Sequence, residues 1–138
     1  MAKRPFKMGG GICLIIYYLA NCAISYKAKI GKGTALGYGG IGCVIHAQAE
    51  IGENCKISQN VTIAAKDGKA PKIGNNVFIG ANSVIIGDVE IGDNCFIGAL
   101  TLVNKSFPAN SMIVGIPAKN IRQRDQEELE RYNQWRNR

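Results

Sequence analysis

The sequence predicts an all-β chain wound as a parallel β-helix. Three observations point there: an aliphatic residue at every sixth position, a small or β-branched residue four positions after it, and glycine following many of the aliphatics. The aliphatic beat runs through Ile24, Ile30 and Leu36, then Ile45, Ile51, Ile57 and Ile63, and resumes at Ile73, Ile79, Ile85, Ile91, Ile97 and Val103. The second position is filled by Ala28, Thr34, Ala49, Cys55, Val61, Val77, Ser83, Val89, Cys95 and Thr101. Six is no helical period, and strand alternation alone would not single out every sixth residue. A short strand, a corner and another short strand satisfy both rules, and three such sides close a triangular coil of 18 residues. The aliphatics point inward, glycine relieves crowding at the corners, and coils stack at the strand spacing of about 4.8 Å.

Composition agrees. The 138 residues suit one domain, are 46% hydrophobic and 7% aromatic, and include 17 glycines without a Gly-X-Y period, which excludes disorder and collagen. Five cysteines without a Cys-x-x-Cys pair, and a single histidine, do not make a zinc pattern, so no metal is expected. Cysteine used this way fits a reducing, cytoplasmic compartment, with the thiols as small apolar side chains. The net charge is +7, and no acid precedes Glu50. Aromatic residues are too few and too separate from the basic ones to make stacking platforms for nucleic acid, so none is expected as a partner.

The elements then follow in order. Residues 1–23 combine a basic start with the apolar run from Ile12 to Ala20, which is too short to span a bilayer. It reads as a segment capping one end of the core; the alternative is peripheral membrane contact through residues 1–24. Residues 24–121 form the β-helix. Leu36 to Ile45 exceeds the beat by three residues and Ile63 to Ile73 by four, so loops leave the prism there, near each other along its length. Residues 122–138 form a C-terminal α-helix, with Asp125 as its cap and Glu128 at the capping-box position. Leu129, Tyr132 and Trp135 give that helix an apolar stripe for the prism or a neighbouring subunit.

The I-G-E-N-C-K, I-G-N-N-V-F, I-G-A-N-S-V and I-G-D-N-C-F repeats and the closing V-G-I-P-A-K resemble the hexapeptide-repeat acyltransferases. Within that superfamily, Tyr38 to His46 and the run to P-K-I-G-N-N-V resemble the short serine-acetyltransferase-like proteins of polysaccharide gene clusters. The resemblance implies a left-handed β-helix, a homotrimer and acetyl-CoA as acyl donor. It also exposes a departure. Serine acetyltransferases carry an Asp-His pair about where Gly37, Tyr38 and Gly39 stand, and a second histidine where this chain has Ala70. On that ground the expected activity is O-acetylation of a saccharide or saccharide precursor. Serine O-acetylation and amino-sugar N-acetylation are the alternatives, and a catalytically silent binding or assembly subunit is the rival from another class.

Acyl transfer from a thioester needs a base for the attacking hydroxyl and donors for the oxyanion. His46 is the only histidine and follows the glycine-rich bulge, which makes it the candidate base. Tyr38 and Asp67 are candidates for binding the acceptor. For the donor, the resemblance points to Gly80, Ala81, Gly98 and Ala99 along the pantetheine arm, with Ala118, Lys119 and Lys105 toward the adenine and phosphates. Glycine and alanine at these positions also have an ordinary reading, as parts of the repeat.

Overall fold

The computed structural model of the protein describes residues 21–136. The expected capping segment lies almost wholly outside the described residues. The first coil consists of β1 (Ala23–Ile24), β2 (Lys29–Ile30) and β3 (Ala35–Leu36). The second holds β4 (Val44–Ile45), β5 (Glu50–Ile51) and β6 (Lys56–Ile57), and the third β7 (Thr62–Ala64), β8 (Lys72–Ile73) and β9 (Phe78–Ile79). β10 (Val84–Ile86), β11 (Glu90–Ile91) and β12 (Phe96–Ile97) make the fourth, and β13 (Leu102–Val103) and β14 (Ser111–Val114) an incomplete fifth.

These strands stack into three parallel sheets. The first face runs β1-β4-β7-β10-β13, the second β2-β5-β8-β11, and the third β3-β6-β9-β12-β14. The register sets each inward aliphatic on its counterpart one coil away, as in Ile45 on Ile63, Ile63 on Ile85, and Ile85 on Val103. Ile45, Ile57, Ile63, Ile79, Ile85 and Ile97 are fully buried in this column, and so are Cys55 and Cys95 as core thiols. The fold is the left-handed parallel β-helix that the repeat and the resemblance imply.

Close stacking explains the glycine that follows so many of the aliphatics. A Cβ on Gly80 would lie 2.4 Å from the amide nitrogen of Ala99 in the next coil, and one on Gly31 would lie 2.5 Å from the Gly52 carbonyl carbon. No side chain fits between backbones that close.

Two features depart from the expected end of the prism. The closing V-G-I-P-A-K turn, with its cis Ile116–Pro117 bond, leads into β15 (Lys119–Gln123), which returns antiparallel to β14 and adds a sixth strand to the third face. The C-terminal helix α1 (Gln126–Arg136) begins only after that strand. Asp125 does cap it, its carboxylate accepting the Glu128 N–H at 2.8 Å. Glu128 does not close a capping box; its carboxylate takes the Arg122 guanidinium with both oxygens. A bidentate guanidinium is the stronger partner than the cap's own N–H.

α1 lies on the third face through the predicted stripe. The Tyr132 ring meets Phe78 edge-on at 6.3 Å, and Phe78 stacks on Phe96 at 4.7 Å. The Lys56 ammonium sits 3.7 Å over the Trp135 ring, within the range of a cation–π contact. Arg124 is buried between Phe96 and Tyr132 and donates to the Asn94 carbonyl at 2.9 Å; burial lowers its pKa from the usual value.

Two expectations follow. Gly80→Ala should lose about 1–3 kcal/mol of stability, read as a fall in Tm, because the new methyl meets backbone rather than a movable side chain. The Arg122 guanidinium holds Glu128 down at about 2, against an ordinary 4.5. A lowered folded-state pKa makes the pair's stabilisation present above pH 4.5 and lost as pH falls through about 2. The difference in Tm between the native chain and Glu128→Gln should therefore shrink steadily across that acid window, with Trp135 fluorescence reporting on the helix.

Candidate active site

The two departures from the six-residue beat emerge at different corners. The bulge is a 3-10 turn over Gly37–Gly40, between β3 and β4, where the third face meets the first. Tyr38 there takes φ 51 and ψ 36, a left-handed conformation unusual outside glycine and asparagine, and the residue is 78% exposed. The second loop leaves the corner between the first and second faces, after β7. The sequence places both loops near each other along the prism; they do lie in neighbouring coils, on opposite edges of the first face.

That second loop is a tight hairpin. Lys66 and Lys69 exchange backbone hydrogen bonds at 2.9 and 3.1 Å across Asp67 and Gly68, both at positive φ. Asp-Gly is the pair that a two-residue turn of this hand favours. The hairpin is fastened to the next coil where the Lys69 ammonium meets the Asp88 carboxylate at 2.8 Å and the Gly87 N–H donates to the Ala64 carbonyl at 3.0 Å. Lys66, Asp67, Asp88, Leu102 and Asn104 line an open groove beside it.

His46 follows β4 at this same corner, one coil before the hairpin. It is exposed, and its N–H donates to the Ile63 carbonyl at 2.9 Å. The ring Nδ1 accepts the Gln48 N–H at 3.2 Å. A neutral imidazole that accepts at Nδ1 carries its proton on Nε2, so His46 offers a donor to a ligand in this arrangement. Service as a base requires the ring to leave Gln48, a single long hydrogen bond worth about 1 kcal/mol.

The predicted residues thus fall into two columns. His46, Asp67 and Lys105 stand on the corner between first and second faces, with the Lys105 ammonium 5.5 Å over Phe107. Tyr38, Gly80, Ala81, Gly98 and Ala99 stand on the opposite corner of the first face, capped by the closing turn that holds Ala118. Ala118 is fully buried, its N–H donating to the Leu102 carbonyl at 2.9 Å, so it is a core residue, whereas Lys119 is exposed at the start of β15. Lys105 is separated from the other expected donor-site residues by the whole first face. Gly80 and Gly98 are accounted for by stacking, since their missing Cβ atoms face the next coil. Ala81 and exposed Ala99 leave backbone accessible on that edge. Among the described residues no cluster of metal-ligating side chains occurs, and no helix is long and apolar enough to cross a membrane.

One feature of the site escaped the motif search. The residues just before the inward aliphatics point outward, and they sort by face. On the second face they are Lys29, Glu50, Lys72 and Glu90; on the first they are Ala23, Val44, Thr62, Val84 and Leu102. Exposed Ile41, Leu100 and Ile116 extend this uncharged face along its edge. The signal was present in the sequence at an 18-residue period, where the six-residue reading pools all three faces.

Residues 70–105 match the bacterial transferase hexapeptide family (six repeats). A serine acetyltransferase of Staphylococcus aureus is 38% identical over 125 residues, covering 88% of this chain and 58% of that protein. Among solved structures, the serine acetyltransferase of Brucella abortus superposes with a TM-score of 0.74 at 31% identity, covering 78% of this chain and 45% of the other. The same enzyme in complex with coenzyme A gives 0.74 at 29% identity, covering 79% and 45%. The chain spans about half the length of the relatives it matches. In its six-residue repeat, its three-faced β-helix and its relatives, this chain is similar to the hexapeptide-repeat acyltransferases.

Proposed function

We propose that this chain is an acetyl-CoA-dependent O-acetyltransferase. The observation that carries the reading is the match of most of its β-helix to serine acetyltransferases, one of them solved with coenzyme A. Those relatives move L-serine ahead of the saccharide acceptor as the substrate to test first. In the reaction, the acceptor oxygen attacks the thioester carbonyl, the C–O bond forms and the C–S bond breaks. The hydroxyl proton leaves through a base and ends on the departing thiol.

The working form we infer is a homotrimer in a cytoplasmic setting. The first face supports this: it is uncharged and its edge carries exposed Ile41, Leu100 and Ile116, while the second face is charged and the third is covered by α1. His46 and the Gly80–Ala99 edge stand on opposite corners of one chain, so a ligand touching both does so most directly where corners of two copies meet. There His46 would serve as base after leaving Gln48. Asp67, on the same corner, and Tyr38, on the opposite one, would contact the acceptor. Backbone at Ala81 and Ala99 and the Lys119 ammonium would meet the acyl donor, with Lys105 available from a neighbouring copy. Residues 24–123 are read as the catalytic β-helix with its closing strand, and 126–136 as an accessory helix.

A saccharide acceptor keeps one specific observation in its favour. Where serine acetyltransferases carry their Asp-His pair, this chain presents Gly37 and Tyr38, an exposed tyrosine. An exposed aromatic face suits the apolar face of a sugar better than a small zwitterion.

The test is thiol release from acetyl-CoA with L-serine, sugars, nucleotide-sugars and amino sugars, for the native chain, His46→Ala and His46→Gln. A general base predicts a fall in kcat/KM of about 10²–10⁴-fold in both variants. If His46 serves only as a donor, His46→Gln should keep most of the activity. Absence of thiol release with every acceptor, together with no binding of acetyl-CoA, would show a silent scaffold.

A further inference from the structure

The inward position at the corner entering the first face is filled, coil by coil, by Cys22, Cys43, Val61, Ser83 and Thr101, one residue before the paired strands β1, β4, β7, β10 and β13. The last four are fully buried. Cys22 is the first described member of the column and is half-buried. Two cysteines therefore occupy consecutive rungs of one inward-pointing ladder. Their backbones are joined directly, the Ala23 N–H donating to the Cys43 carbonyl at 2.8 Å. Stacked rungs stand about 4.8 Å apart between Cα atoms, inside the range of about 4.4–6.8 Å that a disulfide bridges. The other described thiols lack such a neighbour: Val77 separates Cys55 from Cys95 in their own column.

We propose that Cys22 and Cys43 are a redox-active pair that forms a reversible disulfide between the first and second coils. The two thiols differ in exposure. Cys22 is open enough for a peroxide to reach. Cys43 is enclosed, its thiol donating to the Ser58 carbonyl at 3.3 Å, and burial raises its pKa. Hydrogen peroxide converts the Cys22 thiol to a sulfenic acid and releases one water. The Cys43 sulfur then attacks the Cys22 sulfur, the S–O bond breaks, and the hydroxyl leaves as a second water with the Cys43 proton. A dithiol reductant restores both thiols by exchange.

The link would close a ring around the whole first coil, including the Gly37–Gly42 bulge that carries Tyr38. That bulge is rooted on Cys43, whose N–H donates to the Gly40 carbonyl at 2.9 Å. Oxidation would thus tie down the segment between Tyr38 and His46, whatever acceptor the enzyme takes.

The experiment treats the purified full chain at low concentration with stoichiometric hydrogen peroxide, blocks free thiols without reduction, and maps its peptides by mass. The expected product joins the Cys22 and Cys43 peptides, two hydrogens lighter than their sum, and separates with dithiothreitol. It should be absent from Cys22→Ser and from Cys43→Val, the latter copying Val61 in the same column so that the core stays filled. Thermal unfolding of the oxidised native chain should shift upward by several degrees, with no shift in Cys22→Ser. Cys22 found as a sulfinic acid, joined to Cys13, or joined to a second copy, with Cys43 still a free thiol, would overturn the proposal.

Discussion

Everything in this molecule depends on one constraint: each coil must lay its backbone against the next at the spacing of a hydrogen-bonded strand. Amides along the chain meet that demand, as in Val44 to Val61 at 2.9 Å, Thr62 to Ser83 at 3.0 Å and Val84 to Thr101 at 2.9 Å. At that spacing the interior is a column only a few side chains wide, and each rung receives one aliphatic from each face. Isoleucine fills the rung because its branched Cβ packs against the identical residue above and below. Glycine follows because nothing larger fits where successive corners nearly touch. The six-residue repeat is thus the written form of a packing rule rather than a preference of individual residues.

The same constraint decides where chemistry can be placed. Inward positions are committed to the core and strand backbones to their neighbours, which leaves the outward positions and the corners. Extra residues can be accommodated only at a corner, and both insertions occur there. They differ in construction. The Gly37–Gly40 turn holds Tyr38 outward in a left-handed conformation, whereas the 64–71 loop folds back as a hairpin pinned by Lys69 and Asp88. Short, fastened loops leave wide access to the corner that carries His46.

Much of this was legible in the sequence because stacking imposes strict periodicity. The inward residues from Ile45 to Val103, the core roles of Cys55 and Cys95, and the Asp125 cap were all readable from spacing and residue type. What was not readable depended on contacts between segments far apart in sequence. β15 has no repeat of its own and exists because β14 offers an edge; its residues are exposed and would not register as a strand by pattern. Glu128 looked like half of a capping box, but Arg122, brought near by that strand, captured it. Likewise, the tautomer implied for His46 follows from the Gln48 N–H two residues on, a detail of corner geometry that residue identity does not encode. The corner assignment of the two insertions required knowing which side each left, and counting by six does not tell one side from another until strands are paired.

The three faces then divide the remaining work by chemistry. Opposite charges alternate up the second face, with Lys29 meeting Glu50 at 3.2 Å, an arrangement that favours water and discourages a second chain. The third face presents Phe78 and Phe96 and is covered by the chain's own helix, whose Tyr132 and Trp135 reach across it. Among the described residues the first face has neither charge nor cover. Burying it against other copies removes apolar surface from water at little desolvation cost, since no ionised group goes with it. Such assembly would also bring together corners that one chain holds apart, the His46 corner of one copy and the Gly80–Ala99 edge of another. The separation of candidate residues into two columns, puzzling for a monomer, is what an enzyme assembled around that face would require.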